Sequence, residues 1–207
     1  MEIKYFGHSF FRLKGKEMVL ATNPFDSSLG LKVPPQAADI VLFSSPAKIE
    51  LNKIINKTVS REKLFVIDNP GEYEVGGIFV LGTAGEKATF YVITMDDLRL
   101  VFLGGLSEKL SDKHIEEVDG VDILFLPVGD KEKLLAPKQA VEIINQVEPK
   151  IIIPMSYQIP GLKLDLAPLA VFLKEMGQEQ KTPLDKLLVT KDKLPLEKEV
   201  VVLNARS

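Results

Sequence analysis

Three short stretches of this chain are apolar at nearly every position: DIVLFSS at 39–45, VDILFLPVG at 121–129 and KIIIPM at 150–155. A strand with one face in water alternates apolar and polar residues, so unbroken runs of this kind require a sheet covered on both faces. The third run continues through Met155 into Ser156 and Tyr157. It therefore delivers a small polar side chain to the end of a buried strand, where α/β sheets usually carry their chemistry.

The rest of the pattern says how such sheets are assembled. Ile3 to Phe6, Ser9 to Leu13 and Glu17 to Ala21 are short strands separated by Gly7 and the turn KGK, as in a β-meander. A loop rich in Pro and Gly leads into the first apolar run, and Leu51, Ile54, Ile55 and Thr58 then stand at the spacing of a short amphipathic helix. KLFVID and IFVLG are further strands, with NPGEYEVGG at 69–77 as a turn between them. Two apolar runs around Asp96 and Asp97 make a hairpin, although the favoured Asn-Gly is absent. Pro137 opens a helix whose Ala140, Ile143, Ile144 and Val147 share one face. A second helix follows with Asp165 as N-cap, a stripe of Leu166, Leu169, Ala170, Leu173 and Met176, and Gly177 beyond its end. Two more strands fall near 186–190 and 199–204. Meanders first and β-α units later imply an α+β chain, with two mixed sheets between outer helices in one domain spanning 1–207.

Composition removes several classes of function. The 207 residues carry a net charge of −3 and no run of Lys or Arg, so a phosphate backbone is not an expected partner. No apolar run reaches the roughly 18 residues of a membrane span, and MEIKYFGHSFF lacks the pattern of a secretory leader. The absence of cysteine fits a reducing, cytoplasmic setting and excludes thiolate ligands and nucleophiles. His8 and His114 are the only histidines.

YFGHSFFRLKGKEMVLATNPFD resembles the opening of metallo-β-lactamase-fold hydrolases of the lactonase-like branch, and NPGEYEVGGIFVLGT, YVITMDDLRLVFLGGL, VDILFLPVGD and PKIIIPMSY resemble its later blocks in order. The resemblance covers roughly residues 1 to 175. It implies a four-layer αββα sandwich and a metal-dependent hydrolase using Zn or Mn. The family's His-x-His-x-Asp-His ligands would fall on Ser45, Ala47, Ile49 and Glu50. Its later Asp would fall on Gly105 and its final His on Ser156, the loop GTAGEKAT holds no His, and the Asp of the Asp-Pro-Phe turn is Asn23. These positions therefore look like a vestigial metal site.

The resemblance thus leads to a metal-free, catalytically inactive protein with a binding or scaffolding role, its partner a second copy or an active relative. The alternative is a metal-dependent hydrolase of a lactone, ester or phosphate, with a site rebuilt from cleft residues such as His8, Asp26, Glu50 and Glu72. A third reading keeps the cleft as a sensor pocket. His8 is expected to be a structural histidine at the rim, His114 a solvated residue on a helix, and Glu72 part of the PGEY turn. Ser45 or Ser156 as a nucleophile lacks both a Gly-x-Ser-x-Gly elbow and any base other than His8. Small residues at the former ligand positions have a simple electrostatic logic: carboxylates held together without their ion repel one another.

Overall fold

The apolar runs lie within two sheets stacked face to face. The computed structural model describes residues 1–59, 62–129 and 135–206, so Asp130, which closes the VDILFLPVGD block, lies outside the described residues. The chain begins with β1 (Glu2–Tyr5), β2 (Phe11–Lys14) and β3 (Val19–Thr22), a meander in which each strand pairs antiparallel with the next. After β4 (Gln36–Ala38) comes β5 (Ile40–Leu42), parallel to β3. A single helical turn, α1 (Leu51–Ile54), runs into β6 (Ile55–Lys57) and then β7 (Phe65–Ile67), which pairs parallel with β5. The second half repeats the plan. The strands β8 (Gly71–Val75), β9 (Ile78–Ala84), β10 (Thr89–Met95) and β11 (Leu98–Phe102) run antiparallel. They are followed by α2 (Asp112–Glu117), β12 (Ile123–Pro127), α3 (Pro137–Val147), β13 (Ile151–Met155) and α4 (Leu169–Glu175), and then by β14 (Leu187–Leu188) and β15 (Glu199–Val200).

One sheet has the order β14-β1-β2-β3-β5-β7 and the other β15-β13-β12-β11-β10-β9-β8, both mixed. Alternate residues of the first, such as Ile3, Tyr5, Phe11 and Leu13, point between the sheets. The ring of Phe11 stacks on Tyr5 at 4.7 Å and meets Phe125 of the opposite sheet edge-on at 4.8 Å. Burying an aromatic ring of this kind is worth about 2–3 kcal/mol by area, which makes the aromatic layer a principal bond between the sheets. The outer face of the second sheet is covered by α2, α3 and α4. Pro137 opens α3 as expected, and Ala140, Ile143, Ile144 and Val147 are buried along one side.

Both halves hold a buried aspartate at the start of a central parallel strand. The Oδ2 of Asp39, just before β5, accepts the Val19 N–H at 2.8 Å, and its Oδ1 accepts the Thr58 hydroxyl. Its own N–H donates to the Val19 carbonyl at 2.8 Å. The carboxylate of Asp122, just before β12, accepts the Arg99 N–H at 2.9 Å and the Lys191 ammonium at 2.8 Å, while its N–H donates to the Arg99 carbonyl at 2.8 Å. Each carboxylate locks a parallel strand to its neighbour at the same relative position.

Several local expectations are corrected. The helix placed over 51–58 is one turn long, because Ile54 and Ile55 are both buried beneath the first sheet and β6 pairs with β4 instead. That sheet is consequently covered by α1, the β4–β6 pair and loops rather than by long helices. The stretch 69–77 is mostly strand β8, with Val75 buried, Tyr73 packed against the core and the turn reduced to Gly76–Gly77. Asp165 does not cap α4. Pro168 holds the N-cap position, and the N–H of Ala167 before it donates to the Gly129 carbonyl at 3.2 Å. The helix face does not leave His114 in water: its ring is half-buried and meets Phe90 edge-on at 5.1 Å. The Asp96–Asp97 turn has both residues at positive φ, 52° and 65°, the backbone that a two-residue hairpin needs even without Asn-Gly. Among the described residues, no helix is long and apolar enough to cross a membrane.

Candidate functional site

The carboxyl ends of the parallel strands in both sheets converge on one rim. There the chain bends sharply after β1, β3 and β13, and His8, Asn23 and Ser156 adopt left-handed φ values of 51°, 41° and 54°. Asn tolerates this conformation because its short amide finds local partners. The Oδ1 of Asn23 accepts the Ser44 N–H at 2.8 Å, which fixes the amide orientation because that N–H can only donate. Its Nδ2 then donates to the hydroxyls of Ser9 and Ser44, both at 3.2 Å. The Thr22 hydroxyl donates to the Ser9 carbonyl at 2.9 Å and accepts from the Phe11 N–H at 3.1 Å.

Ser156 bridges the sheets from the end of β13. It is 1% exposed, and its N–H donates to the His8 carbonyl at 2.7 Å while its Oγ lies 3.5 Å from the same oxygen. The Tyr5 hydroxyl donates to that carbonyl too, at 3.1 Å. The structural role expected of His8 is thus carried by its main chain. Its Nδ1 is buried without a hydrogen-bond partner among the described residues. Burial drives the imidazole from the usual 6.5 down to about 4, so it is neutral at physiological pH and a weak base.

Close backbone approach seals the rim. Gly104 has φ 47°, and a Cβ there would lie 2.0 Å from the Ser44 Oγ. A Cβ on Gly129 would lie 2.0 Å from the Ser156 carbonyl. Gly105 is different, since a Cβ there would meet only the Ala88 methyl, at an ordinary 3.7 Å.

A second group of the sequence-derived positions lies on an open groove of about 700 Å³ whose lining includes Asp26, Ala47, Lys48, Ile49, Glu50 and Lys53. Asp26 caps the turn Ser27–Leu29, accepting the Ser28 N–H at 2.9 Å, and its hydrogen bonds with Ser28 hold its carboxyl below the usual range. Glu50 is exposed and pairs with Lys53 at 2.8 Å. Ser45 is exposed beyond β5. Glu72 is placed elsewhere. It is not in a turn but on β8, at the far edge of the second sheet, with its carboxylate on the outer face. The four carboxylate and imidazole residues of a rebuilt site are therefore dispersed: His8 at the closed rim, Asp26 and Glu50 on the groove, Glu72 on the edge. Tyr5, Ser9, Thr22 and Ser44, which complete the rim network, fall inside the stretches YFGHSFFRLKGKEMVLATNPFD and DIVLFSS but are not singled out there as site residues; for Thr22 and Ser44 the signal is a hydroxyl at the end of an apolar strand.

The donor chemistry does not fit zinc or manganese. A zinc site needs about four imidazole, thiolate or carboxylate ligands. The six positions offer two hydroxyls, a methyl, an isoleucine, a bare glycine and one carboxylate engaged by lysine. Among the described residues no three His, Cys, Asp or Glu side chains are grouped to hold an ion.

Comparison with known proteins places this geometry. Residues 2–156 match the Beta-lactamase superfamily domain. A UPF0173 metal-dependent hydrolase from Lysinibacillus sphaericus is 24% identical over 203 residues, covering 80% of this chain and 89% of its own. One from Methanosphaera stadtmanae is 23% identical, covering 86% and 92%. Among solved structures, a candidate Zn-dependent hydrolase of the metallo-beta-lactamase superfamily from Thermotoga maritima superposes with a TM-score of 0.82 at 30% identity, over 98% of both chains. The metallo-beta-lactamase fold protein YhfI from Bacillus subtilis shares the fold at a TM-score of 0.61 and 11% identity, over 99% of this chain and 97% of its own. With three quarters of its length matched and the αββα sandwich shared, this chain belongs to the beta-lactamase superfamily, whose relatives here are named metal-dependent hydrolases.

Proposed function

We propose that this chain is a metal-free, catalytically inactive member of its superfamily that acts in the cytoplasm by binding another molecule. One observation carries the reading: the strand ends where the resemblance puts ligands bear Ser45, Ala47, Ile49, Glu50, Gly105 and Ser156, a set with a single carboxylate. A catalytic zinc lowers the pKa of its water from about 15.7 to about 7, on the order of 12 kcal/mol of acidity. A general base supplies only about 10² to 10⁴ in rate, and His8, held near 4, is a poor one. Ser156 is no better placed as a nucleophile, since among the described residues its hydroxyl is paired with the His8 carbonyl, which cannot take a proton.

The test is metal content by mass spectrometry on protein purified without chelator, before and after incubation with Zn²⁺ and Mn²⁺, beside a screen of lactones, esters and phosphodiesters. The expected result is less than about 0.1 equivalent of ion and no turnover above background. A stoichiometric ion, with turnover that Glu50→Ala or His8→Ala removes, would overturn the proposal and restore the metal-dependent hydrolase.

A further inference from the structure

We infer that the free edge of β8 is a docking site for an extended segment of another protein in which Lys or Arg alternates with aliphatic residues. The inference names a partner class for the binding role proposed above and rests on that role. β8 is the last strand of its sheet and pairs only with β9 among the described residues, so one side of its backbone is unsatisfied by sheet bonding. Unpaired edges with apolar surroundings are templates for an added strand.

The side chains around this edge select what could be added. On the outer face Glu72 lies directly across from Leu81 and Glu74 from Phe79, and neither glutamate has an ion pair among the described residues. Phe79 is 52% exposed, and a shallow groove of about 210 Å³ runs from Glu72 across Phe79 and Leu81 to Thr94 and Arg99. The Arg99 guanidinium is spent on the carbonyls of Glu117 and Asp119, at 2.8 and 2.9 Å. It lies three strands from β8, roughly 14 Å at the usual spacing, and so does not offset the two carboxylates. On the other face of β8, Tyr73 meets Phe65 of β7 edge-on at 6.5 Å, and β7 is itself a free edge whose Phe65 and Val66 are 38% and 41% exposed. An added strand would therefore place every second residue beside Glu72 and Glu74, where cations are favoured. The residues between them would lie beside Tyr73 and Phe65, where aliphatic groups are favoured.

A second copy of this chain does not meet that requirement. Among the described residues its other edge strands are Phe65–Ile67, Leu187–Leu188 and Glu199–Val200 of the two large sheets and Gln36–Ala38 and Ile55–Lys57 of the small pair, and the one cation they carry is Lys57. None offers alternating cations to Glu72 and Glu74.

The test uses the full chain and a fluorescent peptide containing Lys-Val-Lys-Val-Lys, with two controls: Glu-Val-Glu-Val-Glu, and the lysine peptide N-methylated so that it cannot form strand bonds. Saturable binding of the lysine peptide alone, protection of β8 amides from hydrogen exchange, and a loss of about tenfold or more in affinity in the Glu72→Lys/Glu74→Lys variant are expected. Both glutamates are exposed, so the variant keeps its fold, which circular dichroism checks. Equal binding of the methylated peptide or by the variant, or no saturation up to about 1 mM, would overturn the inference. So would an oligomer of the chain alone in which β8 is already protected. Metal content and peptide binding are independent readouts: a protein that holds zinc and binds the peptide loses the first proposal and keeps the docking site.

Discussion

The two ends of the central parallel strands treat polar side chains in opposite ways. At the starting end Asp39 and Asp122 are 1% and 5% exposed, yet each carboxylate is met by a neighbouring strand's N–H and by a hydroxyl or an ammonium. At the finishing end, where the resemblance would put carboxylates and imidazoles, Ser44 and Ser156 are tied by neutral hydrogen bonds and Gly104 by close contact with Ser44, while Ser45 is exposed and Gly105 has ordinary room. Burying a charge is costly unless its partners are built in. The fold itself supplies partners for the two aspartates. At the rim the partner would have to be an ion brought from outside, and there the described hydrogen-bond network holds no carboxylate and a single imidazole, His8.

If this contrast is right, the largest effects should come from the starting end. Asp39→Ala removes the acceptor of the buried Val19 N–H and of the part-buried Thr58 hydroxyl and is expected to cost about 3 kcal/mol. Asp122→Ala should cost less, about 2 kcal/mol, because Lys191 is 54% exposed and can return to water. Urea unfolding with an unchanged m-value checks both. Equal losses would mean that solvent access to the partner does not govern the clamp.

Adjacent glycines at the rim sharpen the comparison by sign. Gly104→Ala forces a methyl against Ser44 at positive φ and is expected to destabilise by about 2–3 kcal/mol. At Gly105, where φ is not in the left-handed region and a Cβ meets only Ala88, the same change is expected to stabilise by up to about 0.5–1 kcal/mol. Thermal melts of the two variants decide it. Destabilisation at both would show that the rim has no space left at the position where the resemblance puts an aspartate.

His8 adds a pH dependence with a defined direction. Its folded-state pKa is near 4 against 6.5 when unfolded, so between these values the unfolded chain binds the proton that the folded chain refuses. Stability is then complete above about 6.5 and falls as the pH drops towards 4. The contribution is at most about 2 kcal/mol once the partial exposure of the ring is discounted. His8→Gln should flatten that segment of the pH profile in equilibrium unfolding. An unchanged slope would assign acid sensitivity to the carboxylates instead.

What was legible in the sequence followed from local pattern. The unbroken runs around Ile40, Ile123 and Ile151 announced doubly covered strands, and Pro137 with its four-residue apolar face announced α3. What was not legible depends on distant partners. Nothing beside Asp39 in sequence reveals that Val19 and Thr58 satisfy it, and Lys191 reaches Asp122 across 69 positions. Tertiary pairing also overrode local signals: Ile55 left a helical spacing to pair with β4, and Tyr73 drew a glycine-flanked stretch into β8. The rim was visible as a list of positions with small side chains. Its division into a sealed network around Asn23 and an open groove beside Glu50 was not, because that depends on where the loops after β3 and β5 turn.

The smallest expected effect is the most informative about the rim. Ser156 donates its N–H firmly to His8, but its hydroxyl sits at a long 3.5 Å from the same carbonyl, and Ser45 is exposed. Ser156→Ala keeps the backbone bond and the left-handed turn, and it leaves no stronger donor or acceptor stranded. The Ser45→Ala/Ser156→Ala variant should therefore unfold within about 1 kcal/mol of the parent. A loss of more than about 2 kcal/mol would mean that the rim hydroxyls bear structural weight comparable to the Asp122 clamp, and the contrast between the two strand ends would fail. Retained stability accompanied by loss of a measurable hydrolysis would break it in another way, since a hydroxyl that matters for turnover but not for folding is one that meets a substrate.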